Sequence, residues 1–264
     1  MYSHFKFVMF KNYLSIKKLN NDKIKFGFFT SRGGVSNGNY FSLNCSKNNE
    51  DNKLNVSTNI KIALQKLDLK KQKLKLINQI HSNKIFYINK KNFNNEIYGD
   101  GLITEEKNIA LGVLTADCAP IFIFDKNRSI ICCLHSGWRG GLANIVEKGV
   151  KKFKQKRIIS SNIFAIIGPC LAYEKFEVDK NFKFKFIQKN KSYSKFFKYK
   201  NKNKDLFNLR KLINYQFNNE GVSNVFNIRK DTYKNSQYFF SHRRANHKNQ
   251  LNSGRMINII SLKD

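Results

Sequence analysis

Apolar positions along the chain recur with a period near 2 in some stretches and near 3.6 in others, and this switching predicts the elements. Residues 24–29 (Ile-Lys-Phe-Gly-Phe-Phe) read as a strand that enters a turn-rich loop, Thr30-Ser31-Arg32-Gly33-Gly34-Val35-Ser36-Asn37-Gly38. Residues 51–69 read as a helix with Ile60, Ala63 and Leu67 on one face and lysines on the other. Strands at 74–80 and 85–88 flank His81, and strands at 109–114 and 121–124 flank a connection that holds Cys118. A strand at 129–134 delivers His135 to its C-terminal end. After Gly140-Gly141, Leu142, Ile145, Val146 and Val150 fall at helical spacing, and a strand at 163–167 ends at Gly168-Pro169. The clearest helix is 205–219, with Asp205 as N-cap, a stripe of Leu206, Leu209, Ile213 and Phe217, and Gly221 just past its end. Strands at 225–228 and 256–260 follow.

Strands and helices alternate only in part, which predicts a mixed-sheet α+β fold over a doubly wound parallel one. The 264 residues suffice to bury a substantial core. No internal repeat and no Pro/Ser-rich linker divides them. The Lys/Phe/Asn-rich stretch 189–204 reads as a flexible excursion.

The formal net charge of +31 raises the prospect of a nucleic-acid partner. Its make-up argues against one: 40 lysines stand against nine arginines, and they are dispersed. A solvated basic surface, with no specific nucleic acid, is the expectation. The longest apolar run, 109–124, is broken by Thr115, Asp117 and Pro120 and falls short of a membrane span. The first residues show no signal-peptide architecture, so the expected location is cytoplasmic. Five scattered cysteines, an odd number, fit free thiols in a reducing compartment.

Three segments carry candidate chemistry: Ile80-His81-Ser82, Thr115-Ala116-Asp117-Cys118 and Leu134-His135-Ser136-Gly137-Trp138-Arg139-Gly140. Two imidazoles and a thiolate make a three-ligand zinc set with an open fourth position, as in catalytic sites. Their spacing matches no zinc-finger ribbon, so the fold must assemble them. Taken singly, each has a plain alternative: a hydrogen-bonded structural histidine, or a small buried cysteine. Cys132 and Cys133, consecutive on a strand, point to opposite faces and cannot chelate one ion together. Cys170, in a turn, reads as an inert thiol.

Arginine is scarce here, so its placement carries weight. Arg32, Arg139, Arg243, Arg244 and Arg255 lie in Gly- or Ser-containing loops, where a guanidinium fork suits bidentate phosphate binding. Asp100 and Asp117 offer carboxylates either to orient a ligand histidine or to act as a base.

The string Thr30-Ser31-Arg32-Gly33-Gly34-Val35-Ser36, with Ser42-Leu43-Asn44, resembles the YfiH family, also called the laccase-domain or polyphenol-oxidase family. Gln79-Ile80-His81-Ser82, Asp100-Gly101-Leu102-Ile103-Thr104 and Thr115-Ala116-Asp117-Cys118-Ala119-Pro120 extend the match. So do His135-Ser136-Gly137-Trp138-Arg139-Gly140, Ile167-Gly168-Pro169-Cys170 and Phe240-Ser241-His242-Arg243-Arg244 with Gly254-Arg255. The resemblance runs from about residue 24 to the last residues, in the family's order.

It implies one catalytic domain over residues 1–264, with a layered α/β/β/α arrangement. It also implies a zinc ion on His81, Cys118 and His135; from the chemistry of the residues themselves, Cys118, His135 and Asp117 are the expected catalytic groups. The implied chemistry is phosphate-dependent cleavage of adenosine, inosine, guanosine and methylthioadenosine, together with adenosine deamination. Purine nucleosides and inorganic phosphate are then the partners, the phosphate held by Arg32, Arg139, Arg243 and Arg244. Two departures touch the substrate wall: His242 replaces a common Tyr, and the 245–253 stretch is longer than in many members.

Copper oxidase chemistry is not expected. It needs a blue-copper site plus a histidine-built trinuclear cluster, and the chain has five histidines. The competing readings are a cysteine hydrolase or peptidoglycan-precursor amidase built on Cys118 and His135, and a non-enzymatic basic binder of nucleic acid or anions.

Overall fold

The computed structural model describes residues 7–263 apart from 11, 18 and 20–22; His4 lies outside the described residues. Two six-stranded mixed sheets dominate it. The first runs, in spatial order, Phe7–Met9, Tyr13–Ile16, Ile24–Phe29, Met256–Leu262, Ile109–Thr115 and Lys73–Leu76. The second runs Asn224–Asn227, Ile163–Ile167, Ala119–Asp125, Ile131–Ser136, Gly101–Thr104 and Ile85–Tyr87.

The sheets face each other across an aromatic core. Phe28 of the first stacks on Phe122 of the second with centroids 4.3 Å apart, and Phe26 meets the same ring edge-on at 6.0 Å. Burying such rings contributes on the order of 2–3 kcal/mol each. A second apolar layer lies outside the second sheet, where Ile123, Cys132 and Leu134 meet Val146, Val150 and Phe153 of the helix Ile145–Gln155 and Leu212 and Ile213 of the helix Leu209–Asn219. A third lies outside the first sheet, where Phe29, Ala110 and Ile259 cover Ala63 of the helix Lys53–Lys66. The order is therefore helix, sheet, sheet, helix, as the resemblance implies.

The period-2 argument for the paired cysteines holds. Cys132 packs with the outer helices, whereas Cys133 faces the core between the sheets.

Three element expectations are corrected. The 205–219 helix begins at Leu209, capped by the Asn208 side chain on Lys211 N. Lys204–Phe207 is instead a strand between Glu177–Asp179 and Phe197–Tyr199, and the fully buried Asp205 pairs with Lys180 at 3.0 Å. A buried carboxylate held by lysine overrides its preference for a cap. The helical run after Gly140 is two helices, Trp138–Leu142 and Ile145–Gln155, separated by Asn144 in the left-handed region at φ 59°. The 74–80 strand is also two, because Asn78–Gln79 leaves the first sheet to pair with Tyr98–Gly99. Residues 191–196 form a 3-10 helix whose Tyr193 and Phe196 are buried against the outer core, and Phe197–Tyr199 follows as a strand.

Candidate metal centre

The connection Ala116-Asp117-Cys118 is only three residues long, and it carries the chain from the first sheet to the second. Cys118 therefore sits where the two sheets come together at one end. His135 occupies the penultimate position of Ile131–Ser136, paired with Pro120, two residues beyond Cys118 on the neighbouring strand. His81 arrives from the turn between Asn78–Gln79 and Ile85–Tyr87 with φ 58°, an uncommon left-handed backbone for a residue with a side chain. The ligand atoms of His81, Cys118 and His135 all lie within 4.8 Å of one another, close enough to hold a metal ion.

Asp100 organises both histidines. Fully buried, it accepts a hydrogen bond from His81 N at 3.0 Å on Oδ1 and from Ser82 Oγ at 2.8 Å on Oδ2. The same Oδ1 lies 2.8 Å from His135 Nδ1. With Nδ1 engaged, Nε2 is left to face the cluster, the orientation a metal-bound histidine needs. Burial acts to raise the Asp100 carboxyl, but bonds from His135 and Ser82 hold it below the usual carboxylate value. Gln79 fixes the approach to His81 through its side chain: Nε2 donates to Leu114 O at 2.8 Å and Oε1 accepts from Leu114 N at 2.7 Å.

Burial pushes the Cys118 thiol up most strongly, yet the charges and hydrogen bonds of His135 and His81 together outweigh it and bring the thiol down to about 6. Conversely, burial lowers His135, but the Cys118 thiolate and Asp100 raise it to about 9. The pair favours thiolate and imidazolium, a thiolate ready to ligate.

Gly137 leaves room for the cluster, since a Cβ there would lie 2.8 Å from Cys118 Sγ and 3.2 Å from His81 Cδ2. The donor set, the oriented imidazole and this side-chain-free wall all fit a metal held by two nitrogens and one sulfur.

The cluster forms one wall of a cavity of about 420 Å³, within the range of small-molecule sites. Leu114, Trp138, Leu171, Phe176 and Leu209 supply apolar surface, and Gln79, Asp117, His242, Arg243 and Arg255 supply polar groups. Asp117 has both oxygens engaged: Oδ1 accepts from Thr232 Oγ1 at 2.6 Å and Oδ2 from Arg243 N at 2.8 Å.

Of the arginines anticipated at the phosphate, Arg243 lines this cavity, while Arg32, Arg139 and Arg244 do not. Arg32 lies exposed over the Tyr238 ring. Arg139, also exposed, has its guanidinium 4.5 Å from the Trp138 ring. Arg244 donates to the carbonyls of Thr232, Tyr233 and Phe239, tying that loop together. Cys170 is buried, and its thiol is pushed up by burial.

The sequence marked Arg255 as one of five arginines suited to an anion, and Trp138 carried no expected task. The chain's lone tryptophan in a Gly-rich string, and the Gly254-Arg255 pair, were the available signals.

The family model described as multi-copper polyphenol oxidoreductase laccase matches residues 25–263. A purine nucleoside phosphorylase of Rickettsia prowazekii is 33% identical over 199 residues, covering 74% of this chain and 80% of its own. One from Rickettsia conorii is 31% identical over 222 residues, 82% of this chain and 89% of that one. In three dimensions, the crystal structure of the Bacillus licheniformis hypothetical protein YfiH aligns with a TM-score of 0.89 and 25% identity, over 97% of this chain and 99% of that one. On this agreement of sequence and fold, the chain belongs to the laccase-domain family, the YfiH-like group that its motifs resemble.

Proposed function

We propose that this protein is a purine nucleoside phosphorylase acting on adenosine, inosine, guanosine and methylthioadenosine, with adenosine deamination as a second activity. The observation that carries the reading is the His81, Cys118 and His135 cluster on the wall of one apolar-lined cavity, in a chain whose relatives bear the phosphorylase name.

His81, Cys118 and His135 would hold a zinc ion, which when bound supplies an open position that polarises water or a substrate atom. Zinc suits this set better than a multicopper centre, because among the described residues no further histidine lines the cavity except His242. The remaining work belongs to the chain's own groups. Trp138, Phe176, Leu114 and Leu171 offer flat apolar surface for a purine. In phosphorolysis a phosphate oxygen bonds to the anomeric carbon as the bond from that carbon to the base nitrogen breaks, and the base leaves with the electron pair and takes up a proton. Arg243, at the cavity, offers the cationic partner for phosphate. Asp117 pins the Arg243 backbone, so its first task is positioning. Asp100 keeps His135 oriented.

One observation favours a second reading, a thiol hydrolase. The Cys118 and His135 pair favours thiolate and imidazolium, as nucleophilic cysteine sites do. Product analysis separates the two: adenosine is incubated with the protein with and without inorganic phosphate, and products are read by mass spectrometry. Adenine with ribose-1-phosphate, only when phosphate is present, supports the phosphorylase, and inosine adds the deaminase. Untouched adenosine at high protein concentration sinks the proposal.

A further inference from the structure

Of the five arginines that the sequence marks as suited to an anion, Arg243 and Arg255 line the cavity, and Arg255 lies outside the set expected at the phosphate. Arg255 lies half-buried on the cavity wall, just before the strand Met256–Leu262. One guanidinium nitrogen, Nη1, donates to Ser253 O at 2.8 Å, Ser253 Oγ at 2.9 Å and Gly254 O at 3.1 Å, all neutral acceptors of its own turn. Those bonds fix the side chain's direction. Its Nη2 and Nε have no hydrogen-bond partner among the described residues, and no carboxylate forms a salt bridge with it there. Its electrostatic neighbours include Asp117 and Cys118, which places it beside the metal-competent cluster.

Arg243 lines the same cavity. Its backbone N is held by Asp117 Oδ2, and its Nη1 donates to Lys175 O at 3.0 Å and Glu177 O at 3.1 Å. Its Nη2 and Nε are likewise unpartnered among the described residues. Two arginines, each anchored through one nitrogen to backbone carbonyls and each with donors left over, thus line the cavity. A half-buried cation without a carboxylate partner gains most from an oxyanion that accepts two of its N–H groups in parallel.

We propose that Arg255, together with Arg243, forms the oxyanion subsite of this cavity and holds inorganic phosphate during turnover. Arg255 is the principal ligand, because its anchoring turn leads directly into a central strand of the first sheet. This deepens the phosphorylase reading and rests on it for the identity of the anion, but binding can be measured without turnover.

Trp138 is the only tryptophan and lines the same cavity, so its fluorescence reports occupancy. Inorganic phosphate is titrated into the protein as purified, followed by this signal and by calorimetry, with Arg255→Gln, Arg255→Lys and the exposed Arg229→Gln as control. The expected result is phosphate affinity lowered at least about tenfold in Arg255→Gln, the loss of charge-assisted hydrogen bonds. Arg255→Lys should be intermediate and Arg229→Gln unchanged. In turnover, KM for phosphate should rise in Arg255→Gln far more than KM for adenosine, a split that a merely structural role would not produce. Should Arg255→Gln fail to fold, Arg255→Lys alone decides, with wild-type phosphate affinity and KM overturning the assignment. Absence of phosphate binding in the wild type overturns it as well. Phosphate bound through Arg255 without nucleoside cleavage would uphold the subsite and sink the phosphorylase reading. Cleavage with an unchanged KM for phosphate in Arg255→Gln would do the reverse.

Discussion

The carboxylate of Asp100 lies 2.8 Å from Nδ1 of His135, with no exposure to solvent, and the same oxygen accepts the backbone N–H of His81. One buried anion therefore sets both the ring orientation of one candidate ligand and the backbone course of another.

Asp100→Asn keeps the shape but loses the charge. Metal affinity should fall by about 10- to 100-fold, the usual cost of losing such an outer partner. Competition with a chromophoric chelator measures this, and wild-type affinity would remove Asp100 from the account.

Gly137→Ala places a methyl 2.8 Å from Cys118 Sγ. Either Cys118 or the Gly137 backbone must shift, at a stability cost of about 1–3 kcal/mol. The expected outcome is substoichiometric metal by elemental analysis in a protein that still melts cooperatively.

In the metal-free protein, alkylation of Cys118 should be half-maximal near pH 6 and fall away below it. Cys45, Cys132 and Cys133, all buried with thiols pushed well up, should stay unmodified. The linkage follows the signs. Cys118 is depressed from an ordinary 9.0, so its contribution is full above that value and lost as pH falls through about 6. His135 is raised from 6.5, so its contribution is full below 6.5 and lost as pH rises through about 9. Between these limits the two slopes oppose, so what one group loses the other gains and the site should leave the melting temperature nearly flat from about pH 6 to about pH 9. A steep slope through pH 7–8 that disappears in Cys118→Ala would contradict the pairing.

Phe122→Ala removes the ring stacked on Phe28 between the sheets and should cost about 3–5 kcal/mol in urea denaturation. Because the change lies in the core rather than at the cavity, metal stoichiometry of the folded protein should be retained.

Much of this molecule was legible in its residues. Alternation placed Cys132 and Cys133 on opposite faces, and the apolar runs marked the central strands that flank Cys118 and precede His135. Those patterns are local: a period of 2 or 3.6 follows from backbone geometry whatever the partner. The triad was readable too, because thiolate and imidazole are scarce and each stood beside turn residues.

What the chain could not announce was which groups meet. Asp205 has cap chemistry, yet it is buried in a strand against Lys180, because pairing with Glu177–Asp179 and Phe197–Tyr199 outweighed local preference. Arg32, Arg139, Arg244 and Arg255 looked alike as arginines in Gly- or Ser-containing loops. Only tertiary packing separated them, since the carbonyls of Thr232, Tyr233 and Phe239 consume donors of Arg244, whereas Arg255 lines the cavity. Sequence thus determined the periods of the elements and the inventory of reactive groups. The structure decided their company, because contacts across 19 residues, as between His81 and Asp100, or 115, as between Asp117 and Thr232, depend on how whole sheets pack and not on neighbours along the chain.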